Sequence, residues 1–121
     1  MEQQGHKVLV IDDVVEMGEM VKLLLTHERN DQVEYARGGY QGLAMAQLQR
    51  PDLIILDLMM PDLHGYEVFK QLQKMPELQN VPVLLLTVIP SRVVYPEAQQ
   101  LGISGYLCKP FEIDELLFKI I

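Results

Sequence analysis

Short apolar runs alternate along this chain with segments of helical periodicity. The runs are Val8–Ile11, Leu53–Leu56, Val83–Leu86 and the weaker Ile103–Leu107. Between them, apolar residues recur at intervals of three and four positions, as on one face of a helix; the fullest examples are Met17, Met20, Val21, Leu24, Leu25 and Ile113, Leu116, Leu117, Ile120, Ile121. Strands that alternate with helices predict βαβ units and a parallel sheet.

The composition of each run predicts its place in the sheet. The runs that begin at residues 8, 53 and 83 are apolar at successive positions, which is typical of central strands buried on both faces. Gln32–Ala36 alternates polar and apolar residues, and Ile103–Leu107 contains Ser104 and Gly105, so both suit the sheet edges. We therefore expect an α/β, doubly wound, five-stranded parallel sheet of strand order 2-1-3-4-5, flavodoxin-like, with helices on both faces.

Turn residues mark the limits of the helices. Gly38 and Gly39 open the second helix, and Gly102 ends the fourth. Pro90 and Pro96 interrupt the pattern of that fourth helix, because proline is tolerated only in a first helical turn. The chain stops on an apolar stripe, so we expect residues 1–121 to form one domain cut from a longer natural protein.

Composition narrows the possible functions. The formal net charge of -7 repels nucleic-acid phosphates, which argues against direct binding to DNA or RNA. The apolar runs are far shorter than the roughly 20 residues that a membrane helix needs, and no signal peptide is evident. Cys108 is the only cysteine, which excludes an internal disulfide and fits a reducing cytoplasm.

Polar residues follow the predicted strands directly. Asp12 and Asp13 come after the first strand, Asp57 after the third, Thr87 ends the fourth, and Lys109 follows the fifth. The carboxyl ends of parallel strands share one edge of the sheet, where α/β proteins bind ligands. One such aspartate is usually a turn or cap residue, and Asp12 or Asp13 could cap the first helix. Four strand ends that all carry complementary chemistry are harder to explain in that way.

Three converging carboxylates repel one another, and a hard divalent cation such as Mg²⁺ relieves the repulsion. A carboxylate beside such a cation can also attack phosphorus and form an aspartyl phosphate. The moving phosphoryl oxygens then need a second cation and a hydroxyl donor, which Lys109 and Thr87 could supply.

The whole chain resembles the response-regulator receiver family. The motifs that carry the resemblance are Val8-Leu9-Val10-Ile11-Asp12-Asp13, Leu53-Ile54-Ile55-Leu56-Asp57-Leu58-Met59-Met60-Pro61, Gly65, Thr87, and Tyr106-Leu107-Cys108-Lys109-Pro110-Phe111.

The resemblance implies a phosphoryl-accepting switch of a two-component phosphorelay. A sensor histidine kinase or a phosphotransfer protein would donate the phosphoryl group from a phosphohistidine. The chain itself would turn over no independent substrate. It implies the following roles: Asp57 as phosphoacceptor, Thr87 and Lys109 on the phosphoryl oxygens, Thr87 and Tyr106 as switch residues, and Asp12, Asp13, Asp57 and the main-chain carbonyl of Met59 around Mg²⁺. It also implies a cis Lys109–Pro110 bond.

Five positions depart from the family pattern or modify its chemistry. Val88 stands where the family usually has a small residue, and Pro90 and Pro96 are unusual beside the signalling face. In this family the side chains two positions after the phosphoacceptor and two after the threonine flank the path of the hydrolytic water. Here they are Met59 and Ile89, which cannot hydrogen-bond water, so the resemblance implies slow loss of the phosphoryl group.

Three other functions remain open at this point. A phosphatase of the haloacid-dehalogenase type also uses an aspartate nucleophile, but it wants an acid where this chain has Met59. A flavodoxin-like cofactor carrier needs a phosphate loop where this chain has Asp12 and Asp13. A degenerate receiver would act only as a docking scaffold.

Overall fold

Five strands and five helices alternate along residues 5–120, which are the residues that this computed structural model describes. The predicted apolar position Ile121 lies outside them, as does the stretch from Met1 to Gln4. The elements are β1 Lys7–Ile11, α1 Val15–Arg29, β2 Gln32–Ala36, α2 Gly39–Gln49, β3 Leu53–Leu56, α3 Gly65–Gln73, β4 Val83–Thr87, α4 Ser91–Leu101, β5 Gly105–Cys108 and α5 Ile113–Ile120.

The strands form one parallel sheet in the order β2-β1-β3-β4-β5, which confirms the predicted topology. Strand β1 pairs with β2 on one side and with β3 on the other, so it lies where the order of the strands reverses. Strand β5 begins at Gly105 and not at Ile103 as predicted. The reason is that the Ile103 backbone N–H donates to the Ala98 carbonyl and closes the end of α4.

Alternate residues of the central strands enter two cores, one on each face of the sheet. One core packs Leu9, Ile54 and Leu85 against helices α2, α3 and α4. The other packs Val10 and Ile55, with their neighbours, against helices α1 and α5. Because both faces are covered by helices, β4 is buried at all five of its positions.

Neither of the two candidate caps of α1 is used: neither Asp12 nor Asp13 caps the helix, and its N-cap is Val14 without a side-chain hydrogen bond. Helix α4 ends with Gly102 as its C-cap, as predicted, and it continues through Pro96 in its interior. Packing of its buried side chains against the sheet offsets the missing backbone hydrogen bond.

Helix α2 begins at Gly39 as predicted, and its N-terminus is capped from another loop. The Asp62 carboxylate accepts hydrogen bonds from the backbone N–H groups of Gly39 and Tyr40, each at 3.1 Å. These bonds lower the pKa of Asp62, since they favour its ionised form. The loop after β3, which follows Asp57, is thereby tied to α2.

Candidate functional site

Three carboxylates meet at the carboxyl end of the sheet, where Asp12 follows β1 and Asp57 follows β3. Each of Asp12, Asp13 and Asp57 offers an oxygen within 4.8 Å of those of the other two. Asp12 is 1% exposed and Asp57 is 6% exposed, so both groups are largely withdrawn from water. The structure therefore brings together the three carboxylates that the sequence placed at neighbouring strand ends.

The sheet itself fixes the positions of these carboxylates. The Asp57 backbone N–H donates to the Ile11 carbonyl at 2.9 Å, which extends the β1–β3 pairing by one residue. The Asp12 N–H donates to the Ala36 carbonyl at 3.1 Å on the other side. The Asp12 carboxylate accepts from the Val14 N–H at 2.9 Å, which holds its side chain against the turn. Backbone hydrogen bonds thus fix the main chain at both residues and the side chain of Asp12.

Lys109 places a cationic group beside two of these carboxylates. Its Nζ lies 2.7 Å from Asp12 Oδ2 and 3.8 Å from Asp57 Oδ2. The Lys109 backbone N–H donates to the Thr87 carbonyl at 2.7 Å, which ties the loop after β5 to the end of β4. The Lys109–Pro110 bond is cis, as the resemblance implied.

The electrostatics of the site raise the pKa of Asp57 from 3.8 to about 6. Burial is the largest cause, and it outweighs the attraction of Lys109, which lowers the pKa. The negative charge of Asp12 raises it further, whereas the backbone N–H groups of Met59 and Leu58 lower it. Asp57 therefore holds its negative charge less readily than an exposed aspartate does.

Thr87 is fully buried at the end of β4, and its hydroxyl oxygen accepts from the Ile89 N–H at 3.3 Å. Tyr106 lies on β5 and is half-buried, with its ring centroid 6.1 Å from that of Tyr95 on α4. The switch roles of Thr87 and Tyr106 stay predictions. The Met59 side chain is 57% exposed, and the role of its carbonyl also stays a prediction.

Two contacts of the site were not predicted from the sequence. The Tyr35 hydroxyl donates to the Asp12 carbonyl at 2.7 Å, and burial raises the pKa of Tyr35, which keeps that hydroxyl protonated. The Cys108 thiol donates to the Ile89 carbonyl at 3.1 Å and so joins β5 to the loop after β4. Tyr35 stands at an inward position of an edge strand near the site, a signal that could have suggested its role.

The donor set fits a hard divalent cation. Three carboxylates carry a charge of about -3 when ionised, and Lys109 offsets only one of these charges. Carboxylate oxygens are the ligands that Mg²⁺ prefers, and that ion usually keeps several waters in a site with few protein ligands. The arrangement can also present a carboxylate oxygen of Asp57 to an electrophile, because this side chain stays 6% exposed.

Comparison with known proteins identifies the family. The profile of the response regulator receiver domain matches residues 8–121. The chain is 34% identical over 114 residues to a probable transcriptional regulatory protein, SilR, of Salmonella typhimurium, across 94% of this chain and 49% of that protein. It is 36% identical over 120 residues to the probable transcriptional regulatory protein TcrX of Mycobacterium tuberculosis, across 97% of this chain and 49% of that protein.

Solved structures agree with this match. The chemotaxis protein CheY4 of Vibrio cholerae superposes with a TM-score of 0.89 at 34% identity, covering 98% of this chain and 97% of that one. The receiver domain of the sensor histidine kinase PA1611 from Pseudomonas aeruginosa, solved with magnesium in its active site cleft, gives a TM-score of 0.83 at 27% identity, covering 94% and 93%.

The chain belongs to the response regulator receiver family and is a receiver domain of two-component signalling. It spans about half the length of the curated transcriptional regulators described above. Among the helices of the described residues, none is long and apolar enough to cross a membrane.

Proposed function

We propose that this chain accepts a phosphoryl group on Asp57 from a phosphohistidine of a sensor histidine kinase or phosphotransfer protein, with Mg²⁺ as cofactor. One observation carries the proposal: Asp12, Asp13 and Asp57 converge beside Lys109 at the carboxyl end of the sheet. A degenerate receiver that acts only as a docking scaffold does not require these three carboxylates and the lysine to lie together, so their arrangement does not support that alternative.

The reaction would be a single displacement at phosphorus. A carboxylate oxygen of ionised Asp57 forms the new P–O bond, the P–N bond of the donor breaks, and the departing imidazole nitrogen takes up a proton. Bound Mg²⁺ would supply charge neutralisation at the phosphoryl oxygens. Asp12, Asp13, Asp57 and the Met59 carbonyl would hold it.

The remaining roles fall to groups that already surround Asp57. Lys109, which lies 3.8 Å from Asp57 Oδ2, would follow the phosphoryl oxygens as they gain charge. The Thr87 hydroxyl would donate to one of them, giving up its contact with the Ile89 N–H, and Tyr106 would fill the space that Thr87 leaves. Beyond this self-phosphorylation and its reversal, the chain would act as a switch rather than as an enzyme.

We also propose that this domain belongs to a longer protein. The curated relatives are transcriptional regulators about twice as long as this chain, so we infer that an output module completes the natural protein. This acidic domain would then make no direct contact with nucleic acid or membrane. The single cysteine supports a cytoplasmic location.

The test of the phosphoacceptor is intact-mass spectrometry after incubation with phosphoramidate, a small donor with a P–N bond. One added phosphoryl group that requires Mg²⁺ is expected in the wild type and is lost in Asp57→Asn. Asp52→Asn is the matched control, because Asp52 precedes β3 at its other end and is exposed. Labelling that persists in Asp57→Asn would refute the assignment.

Metal binding is tested separately by thermal unfolding without a phosphodonor. A ligand that binds only the native state stabilises it by RT ln(1 + [L]/Kd), about 2.7 kcal/mol at a hundredfold excess over Kd. Asp13→Asn should reduce this gain while leaving the metal-free chain equally or more stable, since one repelling charge is gone. Asp114→Asn on α5 is the control. A Tm that ignores millimolar Mg²⁺ would exclude the site.

A further inference from the structure

We propose that the open edge of β2 binds an extended, basic and apolar segment of a partner protein as an additional strand. The site is a groove of about 660 Å³ that lies between helices α1 and α2 along β2. The residues that carry the argument are Val33, Glu34, Met45, Leu48 and Gln49; we call this surface the β2 edge groove.

The backbone of β2 presents hydrogen-bonding groups to this groove. The Gln32 N–H donates to the His6 carbonyl, and the Ala36 carbonyl accepts from the Asp12 N–H, so both residues face β1. In a parallel pair these positions alternate, and the N–H and C=O groups of Val33 and Tyr35 therefore point away from β1. Strand β2 ends the sheet, and no strand in residues 5–120 pairs with it there.

Helix α2 contributes an acceptor that lacks a donor. Gln49 lines the groove, and its Oε1 is buried with no hydrogen-bond partner among the described residues. An unsatisfied buried acceptor costs about 1–3 kcal/mol, which a donor from a bound segment would recover. This feature is independent of the open strand edge, and it also indicates a missing partner.

The same helix supplies an apolar surface beside that acceptor. The Leu48 side chain is 87% exposed although it belongs to a helix that packs on the sheet, and Met45 is partly buried next to it. An added strand places alternate side chains on the same face, so the face towards α2 could carry an apolar side chain over Leu48 and, two positions along the strand, a second side chain beside Glu34.

Charge identifies the kind of segment that fits. Glu34 is the central residue of β2 and is exposed, and the chain carries a net charge of -7. A second copy pairing antiparallel about the centre of β2 would place Glu34 directly opposite Glu34, which is unfavourable. A lysine or arginine opposite Glu34 would be attracted instead. The occupant is therefore a basic strand of another protein and not another copy of this chain.

The experiment uses a fluorescent six-residue peptide in which threonine occupies every second position and the positions between are lysine, valine and lysine, so that both residue types share one face. Its matched control has glutamate in place of each lysine. Titration into the chain, followed by amide NMR, should perturb Val33 and Tyr35 and give a saturable affinity. Glu34→Lys and Leu48→Ser should each weaken binding about tenfold or more, equivalent to about 1.4 kcal/mol. Glu77→Lys and Phe118→Ser, which make the same changes elsewhere on the exposed surface, should not.

Gln49→Leu separates a binding role from a structural one. Removal of the unpaired acceptor should raise the Tm of the free chain. It should also weaken peptide binding, because the peptide donor that would have met the Gln49 oxygen is then left unpaired. Three outcomes would overturn the proposal: no saturable binding at millimolar peptide, equal loss from Glu34→Lys and Glu77→Lys, or concentration-dependent self-association in ultracentrifugation that Leu48→Ser abolishes.

Discussion

Strand β4 and helix α4 follow one another in the chain, yet they are held in different ways. All five residues of β4 are buried, and the strand pairs with β3 on one side and β5 on the other. Among the side chains described for α4, only Val94 and Ala98 are buried, and Pro96 interrupts its hydrogen bonding. The candidate chemistry thus rests on a rigid strand, while the neighbouring helix is attached by few contacts.

This difference teaches where each task in a switch can be placed. Groups that must meet a phosphoryl oxygen within tenths of an ångström need a support that does not move, and Thr87, for which we propose that role, is at the end of β4. A segment that changes position needs the opposite, a small free energy between two arrangements. Helix α4, with two buried side chains and an interior proline, meets this requirement better than β4 does.

The largest effect is expected from the core of β4. Leu85 is fully buried in the larger of the two cores, so Leu85→Ala should lower the free energy of unfolding by about 2–5 kcal/mol. Val93→Ala on α4, where the side chain is 60% exposed, should change it by no more than about 0.5 kcal/mol. Urea denaturation measures both. Similar losses from the two variants would remove the contrast between strand and helix.

The next effect concerns the proline inside α4. Pro96→Ala restores a backbone donor and removes a ring that crowds the preceding turn, so it should raise the free energy of unfolding by up to about 3 kcal/mol. Amide exchange across residues 91–101 should slow. Pro90→Ala, at the N-cap of the same helix, is the control and should do neither. Unchanged exchange in Pro96→Ala would mean that the proline does not loosen the helix.

A smaller effect is expected where the strand joins the helix, at Ile89. We expect the phosphorylated chain to persist for many minutes, because Met59 and Ile89 offer no hydrogen bond to a hydrolytic water. Met59→Asn with Ile89→Glu should accelerate decay about tenfold, or about 1.4 kcal/mol of barrier. Val93→Glu is the control. Decay within seconds in the wild type would contradict the assignment of these positions.

The last prediction is a pH dependence of stability that arises at Asp57, which follows β3. Folding raises the pKa of Asp57 from 3.8 to about 6, so the native chain binds the proton more tightly than the unfolded chain. The associated stability is fully present below about pH 4 and is lost as the pH rises through about 6. Without metal, unfolding should therefore become easier across this window in the wild type.

The Asp57→Asn variant should lack this loss of stability between about pH 4 and 6, because it has no carboxyl at position 57. Asp62→Asn provides a control of opposite sign, because the pKa of Asp62 is lowered and its contribution is lost only as the pH falls towards and below its ordinary value of 3.8. The prediction fails if the free energy of unfolding of the wild type rises between about pH 4 and 7 and the Asp57→Asn variant shows the same rise. Burial would then not control the pKa of this carboxyl.

The order of the sheet could be predicted from the sequence because burial on one or both faces leaves a direct pattern in each strand. The convergence of Asp12, Asp57 and Lys109 followed, since residues after parallel strands share an edge. The start of β5 was predicted wrongly because the apolar Ile103 side chain packs against the core from the end of α4, where its backbone N–H closes the helix, and not from the strand. A one-dimensional pattern does not distinguish the two.

Contacts between distant segments could not be predicted in the same way. The cap that Asp62 gives to α2 joins residues 22 and 23 positions apart, and the Tyr35 hydroxyl reaches the Asp12 carbonyl across 23 positions. Each depends on how a loop approaches a strand or helix that is distant in the sequence, once the sheet has formed. Helix α4 was doubted because local propensity disfavours Pro96, and tertiary packing overrode that propensity.

The contact between Gly18 and Tyr35 has a consequence for how this sequence can diverge. A Cβ at Gly18 would collide with the Tyr35 ring, whose hydroxyl holds the Asp12 carbonyl. A larger residue at position 18 is therefore tolerated only after position 35 shrinks, and that change releases Asp12 from its anchor. We therefore expect positions 18 and 35 to change together in proteins that descend from this chain. This constraint acts on the buried face of α1, where Gly18 contacts Tyr35.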